Sequence, residues 1–172
     1  MIDETIKVII KLKVDELLYD IKSRAFLQGD ANKGEDTHKA HPLQDIGDSA
    51  NKDVLLRYIS VAIEDCNQLL YAYLTEEVKE DTEVVNTPEE PKNDEYVFDL
   101  EMPHAMSKSG LQQLTSQLHE YVVSRVIYEW CAIAFPEGYE LWKSRAEDYR
   151  HQIKIMHNRR RIPVRLRKNP QG

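Results

Sequence analysis

The sequence predicts a mainly α-helical fold: a four-helix bundle-like domain with a small acidic β-hairpin between helices 2 and 3 and an extended basic C-terminal arm. From Ser107, apolar residues recur at spacings of three and four, and from Tyr121 to Phe135 they fill nearly every position, as in a helix buried on most sides. After Pro136 and Gly138, a narrow apolar seam at the same spacing is typical of a helix packed along one neighbour. The first series comprises Leu111, Leu114, Leu118, Val122, Val126, Trp130 and Ile133, and the seam comprises Tyr139, Trp142, Ala146, Tyr149, Ile153 and Met156.

A first helix is expected to begin with Asp3 as its cap and to end near Gly29. Its apolar face follows the helical period and comprises Ile6, Ile10, Val14, Leu17, Ile21 and Ala25. Residues 29–48 follow neither the helical nor the strand period. We expect a long loop there, and loops of this length in compact domains are usually functional or disordered.

A second helix is expected to begin after a cap at Asp48 or Ser49 and to end at about Glu76. Asp53 adds negative charge near its N-terminus, where the helix dipole favours it. The apolar stripe of this helix comprises Leu55, Ile59, Ala62, Cys66, Leu69 and Tyr73.

Two short segments after this helix are strand candidates, Thr82 to Val85 and Tyr96 to Leu100. The second alternates apolar and polar side chains as a half-buried strand does. The economical interpretation is a β-hairpin over about 82–102 with a long acidic tip. Pro103 closes it, and Ser107 or Ser109 begins the third helix.

The fourth helix is expected to stop by about Arg161, because Pro163 disfavours helical dihedrals at Ile162. Beyond it, apolar and basic side chains alternate. An extended segment of this kind can add to a neighbour's sheet edge while its arginines reach carboxylates or phosphates. We therefore expect one helical domain over residues 1–161 and an extended arm over residues 162–172.

The net charge of −7 is unevenly distributed along the chain. Glu76 to Glu101 contain eleven carboxylates and two lysines, whereas Arg159 to Lys168 contain six cations and no acid. Opposite signs suit head-to-tail contacts between identical subunits, or a tail that reaches an acidic partner. For the acidic segment a solvated loop is the preferred interpretation, whereas for the basic segment we prefer a tail that binds a partner. Specific DNA binding is disfavoured, because no groove-reading motif precedes the basic tail.

Signatures of catalysis are missing: there is no glycine-rich phosphate loop, nucleophile elbow or zinc-protease motif. His38 and His41 have a spacing that metals use, but no second cluster completes a site, and Asp148 with His151 lacks the counterparts that a dimetal bundle needs. We expect no enzymatic activity, no metal and no cofactor. Nothing in the sequence resembles an export signal or a membrane span.

One order of elements covers Asp48 to Arg161: the capped helix through Asp53–Ile59, the acidic hairpin, a helix through Tyr121–Trp130, and a last helix that runs into Arg159–Arg161. This order resembles the head-tail connector, or adaptor, proteins of tailed bacteriophages. The segment Tyr96–Pro103 is similar to versions from phages or prophages of gut Bacteroidales. The expected N-terminal helix and the loop 29–48 are additions to the compact family pattern.

The resemblance implies a homo-oligomeric ring beneath the portal that joins the portal protein to tail or neck proteins in the virion. DNA would pass through the ring without specific binding, and assembly would take place in the bacterial host cytoplasm. The implied partner-binding residues are Arg159, Arg160, Arg161, Val164, Arg165, Leu166, Arg167 and Lys168. Residue patterns also leave open a cytoplasmic helical regulatory module that binds a partner protein through the seam 139–156.

Overall fold

The computed structural model describes residues 5–31, 41–75, 91–104 and 106–158. The fold is mainly helical with one small two-stranded antiparallel sheet, which confirms the predicted mainly α class. The elements in chain order are β1 (Thr5–Lys13), α1 (Val14–Ala31), α2 (His41–Gln44), α3 (Lys52–Leu70), β2 (Glu95–Pro103), α4 (Lys108–Ala134) and α5 (Pro136–Asn158). Single 3-10 turns lie at Asp45–Gly47, Ser49–Asn51 and Tyr71–Tyr73.

Helix α4 is the central element and contacts α1, α3, α5 and β1. Its predicted start is confirmed, because the Ser107 side chain accepts a hydrogen bond of 3.1 Å from the Gly110 N–H. The predicted apolar stretch is buried over most of its length; its buried apolar residues are Leu114, Leu118, Tyr121, Val122, Val123, Val126, Ile127 and Cys131. The prediction that Ile133 belongs to the buried face was wrong, since its side chain is 78% exposed. It lies about 200° around the helix from the buried Cys131.

Helices α4 and α5 form an antiparallel hairpin that turns at Phe135. Pro136 is the first residue of α5, a position that needs no backbone N–H donor. The rings of Tyr128 and Tyr139 meet edge to face with centroids 5.7 Å apart. Trp142, Ala146 and Ile153 of the predicted seam are buried, and Tyr139, Tyr149 and Met156 pack partly buried against the core.

The prediction of a first helix was wrong for its first half, because Thr5–Lys13 form β1 and the helix begins at Val14. Ile6 and Ile10 are four residues apart, so they fit one helical face, but they also fit every second position of a strand. Val8 and Leu12 complete the strict alternation, and β-branched residues favour strands. Pairing with β2 then buries Ile10 and Leu12 against the helices.

β1 pairs with β2 over its full length, with Thr5 opposite Pro103 and Lys13 opposite Glu95. The inner face of β2 is buried and comprises Tyr96, Phe98, Leu100 and Met102. The predicted strand Tyr96 to Leu100 therefore lies inside β2 and pairs with the N-terminal segment. The other predicted strand, Thr82 to Val85, lies outside the described residues.

A tight turn precedes β2. Lys92 and Glu95 exchange backbone hydrogen bonds of 3.1 and 3.0 Å, and Asn93 and Asp94 between them have φ angles of 53° and 58°. Two consecutive positive φ angles are typical of a type I′ hairpin turn. Farther along β2, the Thr75 N–H donates to the Asp99 carbonyl over 3.2 Å. Residues 75 and 92 therefore both meet the edge of β2 that faces away from β1.

Part of the predicted loop 29–48 contributes to the core. α1 continues to Ala31, and in the turns after His41 the side chains of Leu43 and Ile46 are fully buried. The predicted cap at Asp48 is confirmed for the 3-10 turn before α3, where its side chain accepts from the Ala50 N–H over 3.3 Å. Two isolated apolar residues in a polar segment show no period, so the sequence pattern does not predict their burial.

Both cysteines, Cys66 and Cys131, are free thiols in the core. Burial raises the pKa of the Cys131 thiol to about 11, and burial also raises the pKa of the Cys66 thiol. Both thiols are therefore protonated at neutral pH and act as small apolar side chains.

Candidate assembly surface

Backbone hydrogen bonding gives β1 an inner and an outer edge. The Val14 N–H donates to the Asp94 carbonyl over 2.9 Å, in register with the sheet, so the even-numbered residues bond toward β2. In an antiparallel pair the backbone groups of successive residues point to opposite sides. The odd-numbered residues from Thr5 to Lys13 therefore direct their N–H and C=O groups away from β2. No strand in the described ranges pairs with that side.

A shallow groove lies beside the last three residues of β1. Lys11, Leu12 and Lys13 line it on the strand side. Because successive side chains of a strand point to opposite faces of the sheet, a groove in contact with all three residues follows the strand backbone there. The opposite wall comprises Glu16 of α1 and Thr115, Ser116, His119 and Glu120 of α4. An accessible strand edge is a surface that takes up an extended segment as an additional strand.

The edge carries positive charge around one apolar side chain. Lys7, Lys11 and Lys13 are exposed on the solvent face of β1, and Ile9 between them is 61% exposed. Lys11 Nζ lies 2.8 Å from Glu95 Oε2 on β2, whereas Lys7 and Lys13 form no ion pair within the described part of the chain. Lysines on an edge strand oppose nonspecific strand pairing. The same positive charges favour pairing with a strand that carries acidic side chains.

A polar cluster supports the wall of the groove. Arg24 of α1 donates to both carboxylate oxygens of Glu120, with Nη2 2.6 Å from Oε1, and Asp20 lies 2.8 Å from His119 Nε2. The hydrogen bond from Arg24 lowers the pKa of the Glu120 carboxyl. The bidentate pair therefore joins α1 to α4 and fixes one side of the groove.

A second polar cluster joins α3 to α4 away from the groove. Asp65 accepts hydrogen bonds of 3.1 Å from the Tyr121 hydroxyl and from Arg125 Nε, and Arg125 also pairs with Glu129. Burial raises the pKa of Tyr121, so its phenol remains protonated at neutral pH. The Arg125 guanidinium lies 4.6 Å from the Tyr128 ring centroid. These partly buried charges are paired with one another and position the two helices.

The predicted partner-binding residues Arg159 to Lys168 lie outside the described residues, and α5 is described up to Asn158. Of the histidine pair considered for a metal, His41 is exposed at the start of α2 and His38 lies outside the described ranges. Asp148 and His151 are exposed on α5. Over the described residues, no group of three or more His, Cys, Asp or Glu side chains is placed to hold a metal ion. None of the described helices combines the length and apolarity that a membrane crossing requires.

The outer edge of β1 is not among the candidate sites that the sequence pattern predicts. Its signal was the alternation of Ile6, Val8, Ile10 and Leu12 with the lysines, which indicates a strand with one charged face. The groove itself requires α4 to lie beside β1, about 100 residues away along the chain, and no local pattern contains that contact.

A scan of protein-family models and searches of curated proteins and of solved structures found no significant match to this chain.

Proposed function

We propose that this chain is a structural protein of the neck of a tailed-bacteriophage virion. In this proposal it is a head-tail connector that forms a ring below the portal protein and joins the portal to tail or neck proteins. The resemblance of residues 48–161 to such connectors supports the family assignment. The proposed assembly into a ring is supported by the difference between the two edges of the sheet.

These unlike edges favour head-to-tail association. β1 presents a lysine-bearing edge that pairs with no strand among the described residues, whereas the opposite edge of the sheet holds Thr75 and Lys92 at the two ends of an acidic segment. A surface that is complementary to a different surface of the same chain forms a heterologous interface. Such interfaces generate closed rings when the rotation between copies closes.

The proposal also includes the arrangement of the domain, the hairpin and the C-terminal arm. Residues 1–161 form one four-helix bundle-like domain, with an acidic hairpin between its second and third long helices, and residues 162–172 form an extended arm. The arm docks on the portal or on a neighbouring subunit through Arg159, Arg160, Arg161, Val164, Arg165, Leu166, Arg167 and Lys168. Carboxylates that face the channel repel the genome, so DNA passes without specific binding. The protein acts without catalysis or a cofactor and contacts no membrane.

In the alternative function, a cytoplasmic regulatory module binds its partner protein through the seam 139–156. In the fold, Trp142, Ala146 and Ile153 of that seam are buried, so these side chains are not available to a partner protein. The outer edge of β1 is accessible instead, and it favours assembly through the sheet.

The test is mass photometry of the purified chain, alone and mixed with the portal protein of its source, at low and high salt. We expect rings, alone or on the portal, that high salt weakens because charged contacts are screened. Deleting residues 162–172 should leave the helical circular dichroism spectrum unchanged and abolish portal docking. A full-length control with glutamine at Arg165, Arg167 and Lys168, the three cations of the deleted segment, separates the charge of the arm from its length. A monodisperse species that ignores the portal at both salt concentrations would contradict the proposal.

A further inference from the structure

We propose that the solvent face of the two-stranded sheet docks on the same face of a second copy of this chain, in a two-fold pair. The pairing goes beyond the proposed ring, because it uses the face of the sheet and not its edges. Side chains that point away from the helices form this face: Thr5, Lys7, Ile9, Lys11 and Lys13 of β1, and Glu95, Val97, Asp99, Glu101 and Pro103 of β2.

The two strands divide the charges of this face by sign. β1 carries its three cations and β2 its three carboxylates, so one half of the face is positive and the other is negative. Lys11 Nζ lies 2.8 Å from Glu95 Oε2, which is the one ion pair between the strands within the described ranges. Lys7, Lys13 and Glu101 are exposed and form no ion pair with any described residue. Charges of both signs are therefore accessible to a second copy.

Two exposed apolar side chains lie in the middle of the face. Ile9 is 61% exposed and Val97 is 47% exposed. Val97 is paired with Lys11, two residues along β1 from Ile9, so Ile9 and Val97 are diagonal neighbours about 7 to 8 Å apart. A second copy placed on this face would remove both side chains from water, which favours association.

The charges select one orientation of the pair. When the two-fold axis runs parallel to the strands, β1 of each copy lies over β2 of the other. Lys7 then faces the second copy's Glu101, Lys13 faces the second copy's Glu95, and the same contacts recur with the copies exchanged. An axis across the strands would place β1 over β1, and repulsion between the lysines opposes that arrangement.

The size of the face predicts a weak, reversible pair. Each strand has nine residues, so the face is about 30 Å long and about 10 Å wide, and the pair covers roughly 600 Å² in total. Stable interfaces cover about 1,200 Å² or more, and smaller ones are typical of transient contacts. Since exposed charges contribute much of the attraction, added salt should weaken the pair. We therefore expect dimers at high protein concentration and low salt.

Sedimentation velocity of the full-length chain, from micromolar to submillimolar concentration, tests the pairing. Lys7→Glu or Glu101→Lys alone should raise the apparent Kd of the dimer at least tenfold, and an equimolar mixture of the two variants should restore it. Lys52→Glu, an exposed position at the start of α3, controls for net charge and should leave the dimer unchanged.

The mixture separates contacts between copies from contacts within one chain. Lys7 pairs with Glu101 in its own sheet, so each single variant places like charges opposite each other in that sheet. Mixing the variants leaves this repulsion within each chain and restores opposite charges only between copies. Recovery of the dimer in the mixture would therefore report contact between copies, whereas no recovery would overturn the proposed arrangement.

A nitroxide label at Thr5→Cys, at one end of the face, measures the orientation without changing a charge. Both native thiols are buried, so the label attaches to the introduced cysteine. In a mixture with isotope-labelled unmodified chain, we expect broadening of amide signals near Glu101, because an axis parallel to the strands keeps these ends of the two sheets together. Broadening near Lys13 instead would overturn this orientation. The same label at Val61→Cys, exposed on α3, is the matched control and should broaden no signal of the sheet.

The outcomes for this inference and for the connector function are distinguishable. A chain that remains monomeric alone at every concentration in low salt, yet forms rings on the portal protein, would overturn the inference while the connector function stands. A dimer that loses its stability with Lys7→Glu and ignores the portal would support the inference and contradict the connector function. A monomer that also ignores the portal would overturn both.

Discussion

Gly138 shows how closely the turn between the two longest helices is packed. A Cβ atom at this position would lie 2.8 Å from Cδ1 of Phe135 and 3.3 Å from Sγ of Cys131, and both neighbours are buried. The glycine therefore permits the ring of Phe135 to cover the first turn of α5, although alanine is the better helix former.

Gly138→Ala should lower the free energy of unfolding by about 1 to 3 kcal/mol, since overpacking a core costs more than the propensity gain returns. Urea denaturation measures the effect. Gly47→Ala is the matched control, because nothing lies within 4 Å of a Cβ there, and it should be close to neutral. Equal stability of the two variants would show that the Phe135 ring moves aside freely.

The Arg24–Glu120 pair should make stability depend on pH. The pKa of Glu120 is lowered in the fold by the hydrogen bond from Arg24, so its contribution is present above the ordinary glutamate pKa of about 4.3 and is lost as pH falls through the lowered value. Glu120→Gln should cost about 1 to 2 kcal/mol at pH 7 and less at about pH 3.5, by urea denaturation. The exposed Glu147→Gln should show no such loss at pH 7. A cost for Glu120→Gln that stays constant between the two pH values would contradict this linkage.

Single residues were predictable where one local rule decides the outcome. Ser107 caps α4 because a side-chain oxygen there satisfies a free backbone N–H, and both cysteines lie on apolar helical faces. For Trp130, the rule that residues on an apolar helical face are buried is not sufficient. It belongs to the predicted apolar face, but it is only partly buried, and its indole N–H donates to the Pro42 carbonyl over 2.8 Å. That contact depends on the segment 41–47, which has no sequence period.

Among the elements, the two last helices were predictable and the first strand was not. In α4 and α5 the helical period is sustained over many turns, so the alternating period of a strand does not fit these residues. In Thr5–Lys13, residues four apart satisfy both templates, and the choice is made by pairing with β2, 90 residues away in sequence. Tertiary pairing therefore decided what local periodicity left ambiguous.

The turn before β2 is strained by its side chains. Asn93 and Asp94 both have positive φ, and glycine is the preferred second residue of this turn because it has no Cβ. Asp94→Gly should raise the free energy of unfolding by about 0.5 to 1 kcal/mol, measured by thermal or urea unfolding. Asp94→Asn is the control for the removed charge. If the glycine variant were no more stable than the asparagine variant, the backbone conformation would not be the source of the gain.

At the scale of the whole molecule, composition indicated the charge asymmetry but not the surface on which the lysines of β1 lie. The acidic and basic segments are visible in the sequence, whereas the groove beside β1 arises where β1, α1 and α4 meet. The sequence does not show that the lysines of β1 border an edge to which no other described strand is paired. The polar cluster of Asp20, Arg24, His119 and Glu120 is likewise a product of packing between distant helices.

The pairing of β1 with β2 also has a consequence for synthesis of the chain. Ile9 lies opposite Asp99, so the N-terminal strand has no partner until about 90 further residues have been translated. At about 5 to 20 residues per second, this interval lasts roughly 5 to 20 s on the ribosome. During that time the apolar face of β1 lacks its β2 partner, and the three lysines of the strand oppose pairing with other nascent chains. The side chains that border the finished edge therefore also oppose unwanted pairing of β1 during synthesis.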